Sequence, residues 1–246
     1  MSKVSGKIAF VTGANRGIGR AFVEELLKAG AKKVYAAVRN TNTIVDLIAS
    51  SDDRVVSVQL DVTKPEMIER AVAACADVDI LINNAGVAMF KGLIAAEDPM
   101  ASRYEMEVNY FGTLNMTRAF APILAANGGG AIVNMSSIIG HVNFPILGSY
   151  CAAKAAVHSL TQGVRAELAA NGTHVVGVYP GPVETDMGAH FPMDRADPDS
   201  VARTVLEGLE NGEEEIYPDA TAKELHAGLL GDPKAVEKRA SQMLPR

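Results

Sequence analysis

Tyr150 and Lys154 stand four positions apart in SYCAAKAA, residues 149–156, where every other side chain is small. At this spacing two residues share one face of a helix, and the alanines favour that helix. A phenol ordinarily titrates near pH 10. An ammonium beside it favours the phenolate and lowers that value. The pair is therefore expected to form an acid–base group that works closer to neutrality, and the small residues leave room on that face for reactants. A tyrosine and a lysine at this spacing are also a common surface pair, so the rest of the chain has to decide.

A second chemical signal is TGANRGIG, residues 12–19. Glycines at 13, 17 and 19 allow a sharp turn and close approach of a ligand to the backbone. The helix that follows would offer free N–H groups and a positive dipole end to a pyrophosphate. The same residues could make a tight turn with no ligand. Their place, after an apolar run near the chain start and before a helical pattern, is the context a dinucleotide requires. Sites that prefer NAD carry an acid near the end of the second strand, facing the ribose 2′-hydroxyl. This chain has AAVRN there, with Arg39 in place of an acid, and Arg16 inside the glycine turn. Guanidinium groups bond phosphate strongly, so the charges favour a 2′-phosphate and hence NADP(H). Two solvated loop arginines remain the alternative.

The elements that must position these residues alternate. Strand patterns occupy 7–12, 32–38, 54–60, 79–83, 131–136 and 174–179, with a last short one near Ile216. Helical patterns occupy 18–30, 64–76, 101–126 and 150–170, and a helical tail from Thr221 is interrupted at residues 231–233. Nearly continuous apolar strands separated by helices indicate a parallel sheet covered on both faces. The expected fold is α/β, one doubly wound parallel sheet of about seven strands of the Rossmann type, with residues 1–246 as a single domain. Three further motifs, NNAG at 83–86, NMSSIIG at 134–140 and YPGPVET at 179–185, close the fourth, fifth and sixth strands. Such sheets bind ligands at those strand ends.

Composition excludes other classes. With 48% apolar and 21% charged residues and a net charge of −6, the surface is too acidic to grip a nucleic-acid backbone. No run of about 18 apolar residues suggests a membrane span. The opening MSKVSGKIAF carries no secretory pattern. Two unpatterned cysteines, Cys75 and Cys151, fit a reducing compartment, so a cytoplasmic location is expected. The five histidines show no metal-ligand spacing, and no metal is expected.

Taken in order, TGANRGIG, NNAG, NMSSIIG, SYCAAK and YPGPVET resemble the short-chain dehydrogenase/reductase family, in its compact single-domain form, over most of the chain. The resemblance implies an NADPH-dependent reductase of ketones or aldehydes, reversible as an alcohol dehydrogenase. It makes Tyr150 the general acid/base and Ser137 the hydroxyl that positions the substrate oxygen. Lys154 lowers the tyrosine pKa and bonds the nicotinamide ribose, and Asn109, in EVNYFG, holds a water of the proton relay. The implied cofactor contacts are Gly13, Asn15, Arg16, Gly17, Ile18 and Gly19 in the first turn. They continue with Arg39, Asp61, Val62, Asn83, Ala85 and Gly86, then Tyr150 and Lys154. Pro180, Gly181, Val183 and Thr185 complete them on the nicotinamide side. Ser136 rivals Ser137, although adjacent strand residues face opposite ways, and 137 stands thirteen residues before Tyr150.

Two other readings stay open: an epimerase or dehydratase on the same fold, and a non-enzymatic NADP-binding regulator. Cys151 and His158 read as packing residues. MFKGL at 89–93 and MGAHFPM at 187–193 fall where the family has its substrate pocket and lid, and so short a lid implies an open pocket. The helices from about Ser102 and from Tyr150 are apolar around more than one face, which predicts a homodimer or homotetramer.

Overall fold

A computed structural model of the chain describes residues 4–190 and 194–245. The strands are β1 (Ile8–Thr12), β2 (Lys33–Val38), β3 (Val55–Gln59), β4 (Ile80–Asn83), β5 (Ala131–Met135), β6 (His174–Val178) and β7 (Glu215–Ile216). They form one sheet in the order β3-β2-β1-β4-β5-β6-β7, parallel throughout. Each strand lies within a residue of its expected bounds. The order reverses between β1 and β4, and a ligand cleft belongs outside the carboxyl ends there.

The helices are α1 (Gly17–Lys28), α2 (Val45–Ala49), α3 (Pro65–Ala74), α4 (Ala101–Glu105), α5 (Gly112–Ala126), α6 (Gly148–Leu168), α7 (Pro198–Asn211), α8 (Ala220–Gly231) and α9 (Pro233–Ala240). Alternation along β1 divides the core. Ala9 and Val11 face a cluster with Phe22 and Leu26 of α1 and Val205 and Leu209 of α7. Ile8 and Phe10 face Met116, Phe120 and Leu124 of α5 and Val164 of α6. The Phe10 and Phe120 rings sit 4.8 Å apart, within the favourable range for aromatic pairs.

One element differs from expectation in a way that matters for the site, and the tail breaks where expected. The helix expected over 101–126 is interrupted by π-helical turns at Met106–Phe111. Wider turns of this kind release backbone groups and re-aim side chains. Here the Glu105 carbonyl accepts from the Asn109 side chain at 2.8 Å, and the Thr113 hydroxyl bonds the Asn109 carbonyl at 2.7 Å. The tail forms two helices, broken where the Asp232 side chain accepts from the N–H of Ala235 at 3.0 Å to cap α9. No helix among the described residues is long and apolar enough to cross a membrane.

Candidate active site

A cleft of about 770 Å³ opens at the carboxyl ends of the central strands. The glycine turn forms one end of it. Gly13 and Gly17 hold φ of 68° and 52°, left-handed backbone that glycine adopts without strain. A Cβ on Gly19 would stand 2.1 Å from the Gly13 carbonyl oxygen. Arg16, extended at the start of α1, gives no side-chain cap, so the first helical N–H groups are left for a ligand. This cradle fits the phosphates of a dinucleotide. Asn84 braces it: its side chain donates to the Thr12 carbonyl at 2.9 Å, and its N–H bonds the Thr12 hydroxyl at 2.9 Å.

Arg39 follows the end of β2 and lines the cleft. Its guanidinium has no hydrogen-bond or ion-pair partner among the described residues. Arg16 also lines the cleft but pairs with Asp186 on the loop after β6. Both members of that pair are mostly exposed, so it is weak. The two guanidiniums read together from the sequence are thus differently engaged, and Arg39 is the uncommitted one.

Tyr150 and Lys154 share the inward face of α6, with Nζ 5.5 Å from the phenol ring centroid. Lys154 is buried and donates to the Met135 carbonyl at 2.8 Å. Loss of water pushes its ammonium down to about 8. The expected lowering of the tyrosine does not appear. Packing around the hydroxyl raises it above the ordinary phenol value, and Cys151 and Glu105 push the same way. Desolvation dominates the tyrosine, and the ammonium, donated to the Met135 carbonyl, does not offset it.

Ser136 and Ser137 follow β5 with different commitments. The Ser136 hydroxyl donates to the Lys154 carbonyl at 2.9 Å, pinning α6 to the sheet. The Ser137 hydroxyl donates to the Pro180 carbonyl at 3.1 Å. That carbonyl lies in the loop with Gly181, Val183 and Thr185, which lines the cleft along with Asn15, Ile18, Asp61, Val62, Ala85 and Gly86.

Two predicted residues lie elsewhere. Asn83 does not line the cleft. It is buried and donates to Thr117 at 3.1 Å and Asn134 at 2.9 Å. Strand alternation turns it toward α5 and α6, and the following Asn84 faces the site. Asn109 is also buried, behind Gly86, where a Cβ would meet its Oδ1 at 2.7 Å. Its amide exchanges hydrogen bonds with Val87, at 3.2 Å and 2.9 Å, and so holds the loop that carries Gly86 instead of reaching the cleft.

Three of the histidines set aside in the sequence, His141, His158 and His226, fall in one aromatic cluster. His158 hydrogen-bonds the Tyr179 hydroxyl at 2.7 Å, and the His141 ring lies 4.5 Å from His158 and 4.6 Å from Tyr179. Burial pushes His141 down to about 4. His226 stacks on Tyr217 at 3.9 Å. These rings tie α6, the segment after Ser137, the end of β6 and α8 together from behind. No group of histidines, cysteines and acids that could hold a metal occurs among the described residues.

The pocket side corrects another expectation. Residues 89–93 border the cleft through Phe90, and Gly188–His190 forms a short 3₁₀ turn. Residues 191–193 of the expected lid lie outside the described residues. The pocket is not simply open. Thr221 and Leu225 of α8, Val236 and Arg239 of α9, and Met243 beyond them form part of its wall. Sequence reading missed this wall, since only the helical period marked the tail.

Residues 7–196 match the family model for short chain dehydrogenase. A short chain dehydrogenase, pigC of Monascus ruber, is 34% identical over 75% of this chain and 65% of its own length. Sorbitol dehydrogenase of Cereibacter sphaeroides is 36% identical over 77% and 74%. Among solved structures, a short chain dehydrogenase of Burkholderia cenocepacia in complex with NADP superposes with a TM-score of 0.92 at 44% identity. It covers 97% of this chain and 99% of that one. A Burkholderia phymatum short chain dehydrogenase/reductase in complex with NAD gives 0.82 at 25% identity, over 94% and 96%. With the parallel sheet and the glycine cradle beside Tyr150 and Lys154, these matches establish the chain as a member of the short chain dehydrogenase family of nicotinamide-dependent oxidoreductases.

Proposed function

We propose that the chain, as one domain over residues 1–246, is a cytoplasmic NADP(H)-dependent carbonyl reductase that also runs in reverse as an alcohol dehydrogenase. The observation that carries this reading is the grouping of Ser137, Tyr150 and Lys154 on the one cleft that the glycine cradle opens into. Gly13, Gly17, Gly19 and the start of α1 would hold the pyrophosphate, and Arg39 the 2′-phosphate. When bound, NADPH supplies the hydride.

The protein's share is geometry and protons. Ser137 turns its hydroxyl proton from Pro180 toward the substrate oxygen. Tyr150, kept protonated at neutral pH by burial, bonds the same oxygen and gives up its proton as charge develops there. Lys154, held by Met135, keeps positive charge beside the phenolate that results. Asn109 positions the Gly86 loop. NADPH oxidation by the purified protein with a panel of ketones and aldehydes tests the activity, and no oxidation with any carbonyl would overturn it.

Arg39 carries the cofactor preference. NADPH should be used with higher kcat/KM than NADH. Arg39→Asp should cut NADPH efficiency by roughly 10–100-fold, the worth of one charge-assisted bond, and should raise NADH use, since the new carboxylate can accept from a 2′-hydroxyl. Steady-state rates with both cofactors check this. Equal efficiency in the wild type would refute the charge argument.

A homodimer or homotetramer is proposed through α5 and α6. Phe111 is 43% exposed, and Ala152 and Ala155 are exposed on α6. The buried residues of α8, Ala222 and Leu225, pack on Ile138, which leaves these faces uncovered. Sedimentation at micromolar concentration should show at least a dimer, and a single species of 25.9 kDa would exclude it.

A further inference from the structure

Ile138, the residue after Ser137, is buried in one apolar cluster with Ala222 and Leu225 of α8 and Val236 of α9. Phe144, six residues before Tyr150, packs against the same cluster. Past α9 the chain turns back over the site. The Met243 carbonyl accepts from the N–H of Ile146 at 2.9 Å. Pro245 lies against Gly92, where a Cβ would stand 2.8 Å from its Cγ. The last described residues are therefore fastened to the two segments that flank the reacting groups, 144–148 and 89–93.

The wall built this way is mainly apolar, although Tyr104 and Thr221 also line the cleft. Phe90, Phe144, Leu147, Leu225, Val236 and Met243 all line the cleft that holds Ser137 and Tyr150. Phe90 holds φ at 53°, left-handed backbone that a bulky residue keeps only where its surroundings dictate it. The charged residues of the C-terminal wall, Glu224 and Arg239, are both exposed. Among the described residues the one buried ammonium, Lys154, is already bonded to Met135. Beyond Ser137 and Tyr150, a substrate hydroxyl or carboxylate enclosed here would find few partners. Each such group gives up water for little in return, at roughly tenfold or more in affinity.

We propose that this chamber selects ketones and aldehydes with an apolar aryl or alkyl body, against polyhydroxy ketones and short keto acids, and that the C-terminal segment from α8 to Pro245 makes the selection. The inference rests on the carbonyl-reductase reading above and narrows its substrate class. Apolar contacts reward each methylene, whereas unpaired hydroxyls are penalised one by one. Discrimination therefore grows with the number of hydroxyl groups on the competitor.

The test uses the full chain with NADPH and four probes: acetophenone, 2-octanone, fructose and acetoacetate. The expected kcat/KM for the first two exceeds that for the last two by roughly 100-fold. Met243→Asp places a carboxylate in the wall and should reduce kcat/KM for acetophenone at least about tenfold, with the dissociation constant of NADPH unchanged. If fructose or acetoacetate is reduced as well as the apolar ketones, the chamber proposal fails and the reductase reading survives. If NADPH binds but neither the four probes nor any member of the wider ketone and aldehyde panel oxidises it, both fail. Unaltered discrimination in a folded Met243→Asp removes the C-terminal segment from the selection. Should that variant not fold, the wild-type panel still decides the substrate class.

Discussion

Tyr150→Phe is expected to lower turnover by roughly 10²–10⁴-fold, the usual worth of a positioned acid, while NADPH binding stays close to the wild type. The ring keeps its packing on α6, and only the hydroxyl is lost. Because burial holds that hydroxyl above the ordinary phenol value, it is protonated throughout the neutral range. Reduction by the wild type should therefore vary little between pH 6 and 8. Oxidation needs the phenolate and should rise with pH over the same interval. Stopped-flow and steady-state rates in both directions, with NADPH titrated by fluorescence, separate the chemical step from binding. Activity of the Phe variant within tenfold of the wild type would remove Tyr150 from the acid role.

Gly19→Ala should be the second most damaging change, through space alone. Its Cβ would stand 2.1 Å from the Gly13 carbonyl oxygen and 2.4 Å from Asn84 Nδ2. Neither neighbour can give way cheaply. The first is backbone, and the second is held by the Thr12 and Gly13 carbonyls at 2.9 Å and 3.3 Å. The turn itself must move, and a displacement of about 1 Å in a positioning loop costs on the order of 100-fold in kcat/KM. Overpacking should also lower stability by about 1–3 kcal/mol, visible as an earlier thermal transition. Gly231→Ala, with nothing within 4 Å of the added carbon, is the control and should leave both readings alone. A Gly19→Ala protein with near-normal kcat/KM for NADPH would show that the turn does not cradle the cofactor.

The fold was legible because its signals are local. Apolar runs such as DILIN and AIVNMS, too short for helices, read as strands buried on both faces, and Pro65 marks the start of α3, where its missing N–H costs nothing. The glycine turn, Tyr150 with Lys154, and the loop of Pro180 and Gly181 were legible for the same reason. Each sits at the end of a strand or on the first turns of a helix, so chain position alone brings it to the cleft.

What remained hidden depends on direction and on distance along the chain. Asn83 and Asn84 are neighbours in sequence, and the pleat alone sends one into the core beside Asn134 and the other to the glycine turn. Asn109 is turned toward Val87 by π-helical turns that no residue pattern announces. His141, His158, Tyr179, Tyr217 and His226 have no common spacing and meet only because five elements converge behind the site. Residue pattern was enough for the sheet, the glycine turn and the shared face of Tyr150 and Lys154, since those follow from backbone freedom and periodicity within one or two elements. The tertiary structure alone decided the tyrosine's raised pKa and the apolar wall from Leu225 to Met243, because desolvation and enclosure are properties of packed neighbours and not of any stretch of chain.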